Sequence, residues 1–189
     1  MERCLWCGAD PLYVAYHDRE WGTPVRNERT HFEFLLLETQ QAGLSWRTIL
    51  GKREAYRRAF EGFDAEKVAA FGPVDIDRLM LDAGLVRNRR KLEAAVRNAR
   101  AFLEVAEKEG SFGAWLWSFV DGTPVDGKRA SLRDIPVTTP LSDLVSAEMK
   151  RRGFAFVGST TIYAHLQAVG IVNDHLVSCF RYAELEGMR

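Results

Sequence analysis

The stretch IVNDHLVSC, residues 171–179, places His175 and Cys179 four positions apart among apolar neighbours. On a helix that spacing puts an imidazole nitrogen and a thiolate on one face, where both soft donors can turn toward one metal ion. Two ligands hold zinc poorly, so others must come from Cys4, Cys7, His17, His31 or His165, the remaining cysteines and histidines of the chain. Cys4 and Cys7 form a C-x-x-C that completes a Cys3His site with His175 and Cys179; alternatively Cys4 pairs with His17. The reading that needs no metal is a buried cysteine beside a satisfied core histidine.

A second signal directly precedes the first. In residues 153–175 a helix ending in KRRG is followed by a tight apolar turn with Gly158, and then Ser159, Thr160 and Thr161 open another helix. The arrangement has the form of a helix–hairpin–helix over about residues 142–170. Glycine there lets backbone approach a phosphate closely, and the next helix offers N–H donors and the positive end of its dipole. Such contacts read the nucleic-acid backbone rather than its bases. Lys150, Arg151 and Arg152 stand just before the turn, and residues 87–100 hold six basic side chains against Glu93 alone. Either run by itself is a solvated helix face; the hairpin beside them favours a surface for DNA.

These groups must be positioned by helices, because the capping pattern is helical almost throughout. Thr30 with Glu33 three residues on predicts a capped helix over 30–42, stopped at Gly43. Ser45 caps the next helix, which frays near Gly62, and Asp64 caps another before Gly72 and Pro73 break it. Helices follow over 75–83, 88–109 and, with a strand as the alternative, 112–120. Residues 120–140, rich in Gly, Pro, Asp and Thr, predict an irregular surface linker. Ser142 and Asn173 are candidate caps of later helices. The fold class is therefore all-α, one compact unit over 1–189, with 47% apolar and 11% aromatic residues to fill a core.

Composition narrows the function. Lys and Arg balance Asp and Glu at 26 each, so a polyanion must be met by a local basic surface rather than a global field. Three cysteines disfavour a disulfide framework. No apolar run approaches the roughly 18 residues of a membrane span, and MERCLWCGAD lacks the pattern of a signal peptide, so a cytoplasmic location is expected.

Three stretches in order, MERCLWCGADPLYVAYHDREWG, LETQQAGLSWRTIL and KRRGFAFVGSTTIYAHLQAVGIVNDH, resemble the 3-methyladenine DNA glycosylase I family over roughly residues 1–182. The resemblance implies a helix–hairpin–helix DNA glycosylase fold whose N- and C-terminal regions are clipped by one structural Zn2+. Its ligands are implied to be Cys4, His17, His175 and Cys179, leaving Cys7 without a role unless it exchanges with Cys4; His31 and His165 stay structural or exposed. Joining position 4 to 179 closes nearly the whole chain, worth on the order of 4 to 5 kcal/mol of loop entropy. Four protein ligands leave no open position for water.

By the same resemblance Glu38 is the base-recognition carboxylate, amid Phe32, Leu35 and Leu36, where burial is costly without a partner. Tyr16 and Trp46, with Tyr13 and Trp6, are implied to frame a flipped base. Gln41, Gly43 and Leu44 form a turn that can wedge into the gap left in the duplex, unless Leu44 packs beneath Trp46. Gly158, Ser159 and Thr160 are implied phosphate contacts. The family's wider superfamily keeps a catalytic Asp where this chain has Asn173, and no lysine follows to form a Schiff base. The implied activity is therefore monofunctional hydrolysis of the N-glycosidic bond of N3-methyladenine in double-stranded DNA, a base-excision repair step performed by a monomer. Rival readings are a non-catalytic DNA-binding module, a zinc hydrolase and a helical scaffold.

Overall fold

The structure, a computed structural model, describes residues 1–187. After a 3-10 turn at Leu5–Cys7, ten helices follow among the described residues: α1 (Pro11–Arg19), α2 (Glu28–Gln41), α3 (Trp46–Ala59), α4 (Ala65–Ala69), α5 (Pro73–Leu81), α6 (Arg89–Glu109), α7 (Phe112–Ser118), α8 (Pro140–Arg151), α9 (Ser159–Ala168) and α10 (Phe180–Glu186). The chain is mostly helical, as its capping pattern predicts. Ser45, Asp64, Asn88 and Ser111 each cap the helix that follows, accepting from the backbone N–H of Thr48, Lys67, Lys91 and Ala114.

Three starts differ from expectation. Helix α5 opens at Pro73, its first position, rather than at 75, because a proline there loses no helical hydrogen bond. The second helix begins at Glu28, because Asn27 Oδ1 accepts from Thr30 N at 3.1 Å and takes the capping role assigned to Thr30. Glu33 cannot reach back, since Arg53 Nε and Arg57 Nη2 hold its Oε1 at 2.7 and 2.8 Å. Likewise Thr139, not Ser142, caps α8; Ser142 is the third residue of a reciprocal box, its hydroxyl accepting from Thr139 N.

Helix α2 is the centre of the molecule. Residues 31–40 are all buried, and α3, α6, α7 and α9 pack around it. A helix covered on every side has no polar face, so each polar residue on it must find a partner or face a cavity. Thr39 donates to the Leu36 carbonyl and Gln40 donates to that of Lys91.

The largest departure concerns residues 120–140. The segment lies at the surface as expected, with none of its residues buried, but it also supplies β1 (Val125–Asp126), which pairs in parallel with β2 (Val172–Asn173) in the register Val125↔Val172. Val125 N donates to Ile171 O at 2.8 Å and Gly127 N to Asn173 O at 2.9 Å. A 3-10 turn at Leu132–Asp134 follows. Asn173 consequently lies in a strand, with its Oδ1 accepting from His175 N, and caps no helix. His175 and Cys179 are not on a helix either, because α10 starts only at Phe180 and an irregular turn joins it to β2. They converge by that turn, closed by Cys179 N donating to Leu176 O at 2.8 Å.

Helices α8 and α9 are joined by a turn over 152–158 that α6 clamps from below. Asn98 donates to Ala155 O at 3.0 Å and accepts from Ala155 N at 2.8 Å. The left-handed residues of the turn are Gly153, at φ +94°, and Phe156, at φ +57°, whereas Gly158 has φ −61°. A Cβ on Gly158 would meet nothing within 4 Å, so what its missing side chain provides is open space outside the turn.

Between α2 and α9 two imidazoles are sealed in the core, His31 and His165, with ring centroids 6.3 Å apart. His31 Nε2 meets the Val25 carbonyl at 3.0 Å, while both His165 nitrogens lack a partner among the described residues. Burial lowers their pKa values to about 4 and about 3. The unfolded chain takes up protons near pH 6.5 and the native state does not, so stability falls as pH drops below 6.5, by about 1.4 kcal/mol per unit and group. Replacing His165 with Leu should flatten the acid limb of Tm against pH between 6.5 and 4, read by circular dichroism; an unchanged slope would exclude His165 as its source.

Candidate functional site

The elements around α2 leave one aromatic pocket of about 440 Å³. Tyr13 and Tyr16 reach it from α1, Trp6 from the first 3-10 turn, and Trp46 from the first position of α3. Glu38 and Gln41 line it from α2. Trp6 stands edge-on to Tyr13 at 5.2 Å between centroids and to Trp21 at 4.9 Å, and Tyr16 lies 5.4 Å from Trp46. Such pairs hold flat walls in fixed orientation. The structure thus brings together all five residues assigned to the base pocket.

Glu38 is only 3% exposed, and its Oε2 makes no hydrogen bond among the described residues. Desolvation raises its pKa from 4.5 to about 8. Trp6 Nε1 and Trp46 Nε1 are likewise buried without partners. Three polar atoms left unsatisfied on the residues of one pocket mark it as built for a ligand that supplies the missing donors and acceptors. The Tyr16 phenol is held well above its usual pKa by burial and then by the charge of Glu38, and stays a donor.

The opposite walls were not legible in the sequence. Leu132 and Ile135 come from the supposed surface linker, Ala164 and Gln167 from α9, and Trp21 from the chain after α1. Gln167 carries the one local signal, four residues after Tyr163 on the same helix face. Both bind the same buried carboxylate: Tyr163 Oη donates to Asp174 Oδ2 through a short hydrogen bond, and Gln167 Nε2 donates to that oxygen at 2.8 Å. Arg129 Nε pairs with Asp174 Oδ1 at 2.8 Å. Asp174 is therefore fully engaged, and neither it nor Asn173 lines the pocket.

The four residues implied as metal ligands meet in one buried group. The donor atoms of Cys4, His17, His175 and Cys179 all lie within 4.8 Å of one another. Cys179 Sγ is 3.4 Å from His17 Nε2 and 3.6 Å from His175 Nδ1, and Cys4 Sγ is 3.6 Å from His175 Nδ1. Tetrahedral bonds of about 2.0–2.3 Å require donor separations of roughly 3.3–3.8 Å, and these three separations fall in that range. The second ring nitrogens are held from outside, His17 Nδ1 by Asp18 at 2.8 Å and His175 Nε2 by the Trp21 carbonyl at 3.0 Å. Hydrogen bonds from Cys4, His17 and His175 push the Cys179 pKa down, while the same contact pushes that of Cys4 up. Cys7 stands outside the group and donates to the Cys4 carbonyl at 3.1 Å, which disposes of the C-x-x-C alternative.

Most cations of the two basic runs are already engaged within the fold. Arg89 pairs with Asp77, Lys91 turns inward, Arg97 donates to the Gly153 carbonyl, and Arg100 to those of Ala69 and Phe71. Arg151 and Arg152 are paired with Glu148. Among the described residues, the cations of these two runs with neither an ion pair nor a side-chain hydrogen bond are Arg87, Arg90 and Lys150. Near the turn, Thr160 is exposed, but the Ser159 hydroxyl is engaged by that of Ser142 at 2.8 Å. Gly43, at φ +80°, turns the chain so that Leu44 is 40% exposed.

A sequence model described as methyladenine glycosylase matches residues 6–182. The chain belongs to the methyladenine glycosylase family. It is 49% identical over 182 residues to DNA-3-methyladenine glycosylase 1 of Escherichia coli (strain K12), covering 96% of this chain and 97% of the relative. It is 46% identical over 177 residues to the DNA-3-methyladenine glycosylase of Haemophilus influenzae, covering 94% and 96%. Among solved structures, that of 3-methyladenine DNA glycosylase I from Staphylococcus aureus, which addresses 3-methyladenine recognition, superimposes with a TM-score of 0.92 at 41% identity, covering 95% and 96% of the two chains. A pocket of this family explains why an enzyme would keep an unpaired carboxylate in its core.

The raised pKa of Glu38 makes it a cost to the empty protein. Its folded-state value exceeds the unfolded one, so the native state holds a proton the unfolded chain has lost; stability is full below about pH 4.5 and declines as pH rises toward 8. Glu38→Gln should remove that decline and raise Tm at pH 8 by several degrees in calorimetry. A variant melting at or below the parent temperature at pH 8 would contradict it.

Proposed function

We propose that the protein is a monofunctional DNA glycosylase that hydrolyses the N-glycosidic bond of N3-methyladenine in double-stranded DNA, the first step of base-excision repair. The observation that carries the reading is Glu38, buried without a partner in a pocket walled by Trp and Tyr side chains. An extruded base fits between flat aromatic faces, and its exocyclic amine can donate to the carboxylate. Methylation at the ring nitrogen makes the base cationic, which favours the ionised form of Glu38. The same positive charge makes the base a good leaving group. Asp174, the one carboxylate near the position where superfamily relatives keep a catalytic Asp, is locked to Arg129, Tyr163 and Gln167, so the acceleration comes from binding and orientation more than from a strong general base.

The duplex would be met at two places. The Gln41–Leu44 turn projects an exposed leucine beside the pocket, suited to fill the gap left by the flipped nucleotide. The turn between α8 and α9, read as a helix–hairpin–helix, offers Gly158 and the start of α9 to phosphates. A monomer suffices for both contacts. Three buried, unpaired cysteines suit the reducing cytoplasm, and no helix among the described residues is long and apolar enough to cross a membrane.

Cys4, His17, His175 and Cys179 would hold one structural Zn2+. The ion would supply a crosslink between distant parts of the chain and no chemistry in the pocket, because its four ligands complete a tetrahedron. Asp18, itself bound by Arg3 at 2.9 Å, keeps the His17 ring turned inward.

Incubation with methylated duplex DNA should release free 3-methyladenine without strand cleavage, resolved by chromatography; no release from folded, zinc-replete protein would overturn the reading. Glu38→Gln should lower the single-turnover rate about tenfold or more, the scale of one hydrogen bond to a charged group, with zinc content unchanged. Purified protein should contain one zinc per chain by elemental analysis. Cys179→Ala should lose it and melt at a markedly lower temperature, whereas equal Tm values with and without metal would remove zinc from the fold.

A further inference from the structure

The basic run of α6 includes one cation that faces away from solvent. Lys91 is only 5% exposed, and its Nζ donates to the carbonyl oxygens of Gln40 at 2.7 Å and Ala42 at 2.6 Å. It has no acidic partner among the described residues. A lysine ammonium sacrifices strong hydration on burial, so a buried one without a counter-ion is retained where its donors perform a task. Here the task is local: the last carbonyls of a helix have no intrahelical donors, and a cation at that end also meets the negative pole of the helix dipole.

Backbone closure at this helix end reaches one carbonyl only, Leu44 N donating to Gln41 O at 2.6 Å. Ala42 leaves helical geometry at φ −40° and ψ 115°, before the chain reaches Gly43, so the carbonyls on either side of that bond, those of Gln40 and Ala42, take their donors from Lys91. The contact is reciprocal. Gln40 Nε2 donates to the Lys91 carbonyl at 2.9 Å, Tyr56 Oη donates to Gln40 Oε1 at 3.3 Å, and Tyr56 Oη accepts from Val86 N at 3.1 Å. These bonds bolt the end of α2 to the start of α6. Between the two carbonyls held by Lys91 stands Gln41, which lines the pocket, and two residues beyond Ala42 stands the exposed Leu44.

We propose that Lys91 is a positioning residue for base extrusion: it caps α2 from inside the fold and fixes the Gln41–Leu44 turn relative to the pocket, so that Leu44 enters the duplex in register with the base leaving it. The proposal rests on the reading that this turn meets DNA. Lys91 itself is too buried to touch a phosphate, so its effect must pass through the turn.

A double-variant cycle on the full-length, zinc-replete protein tests this. Lys91→Met keeps the stem and removes the donors. It should lower kcat/KM on methylated duplex DNA on the order of tenfold, while the Kd for free 3-methyladenine, read by tryptophan fluorescence, stays within about twofold. Leu44→Ala should also lower duplex excision. The combined variant should lose no more than the larger single loss, because both changes disable one device. If Lys91→Met does not fold, Lys91→Gln gives the same readout with a weaker donor. Parallel losses of free-base affinity and excision would overturn the proposal, as would multiplicative losses in the combined variant or full activity of a folded Lys91 variant. Full activity of Leu44→Ala would instead overturn the underlying reading of the turn, and the proposal with it.

Discussion

A carboxylate buried without a partner is the constraint around which the molecule is arranged. An isolated Glu38 in an apolar core is unfavourable by several kcal/mol when ionised, and the fold tolerates it because α2 is enclosed on every side. The ten residues 31–40 are buried, packed by α3, α6, α7 and α9, and include the core aromatics Phe32 and Phe34. A less enclosed helix would let Glu38 hydrate and recover an ordinary carboxylate pKa. The aromatic pocket opens in this enclosure beside Glu38, so a ligand that enters meets an acceptor left without a protein partner.

The C-terminal segment 171–179 performs three closures within nine residues. Its strand anchors β1 and thereby folds the 120–140 segment over the pocket as a wall. Asp174 ties Arg129 of that wall to Tyr163 and Gln167 of α9. His175 and Cys179 then meet Cys4 and His17. One consequence is chemical. A carboxylate committed to three partners cannot serve as a base, and Asn173 beside it has no charge to offer, so the segment that stabilises the fold also removes the strong catalyst from the site. What remains is suited to a substrate whose bond is already weakened by a positive charge.

Local signals were legible and long-range ones were not. Ser45 and Asp64 cap helices because a side-chain oxygen three residues from an N–H needs nothing else. Thr30 and Glu33 looked equally good, but Glu33 is claimed by Arg53 and Arg57, partners 20 and 24 positions away in the chain. The pocket residues Glu38, Tyr16 and Trp46 were legible only through family resemblance, since each alone reads as core or surface. Trp21, Gln167, Leu132 and Ile135 carried no such mark. The linker's strand was hidden because its partner lies 47 residues on, and Lys91 read as one more surface charge because nothing near it in sequence shows that α2 ends over it.

The unpaired carboxylate also bears on how an undamaged base would be refused. At about 8 the pKa of Glu38 leaves the empty site mostly protonated at neutral pH, so the proton must leave before the group can act as a full charge. A cationic methylated ring repays that step electrostatically, and in a low-dielectric pocket the repayment is large. Neutral adenine lacks only the methyl group, stacks on the same rings and offers the same amine, but cannot draw the proton off. Under the proposed function, discrimination would reside in the difference between ionising Glu38 against a cation and ionising it against nothing, a difference that burial enlarges. The feature that makes the empty protein less stable is the one that makes the charge of the base count.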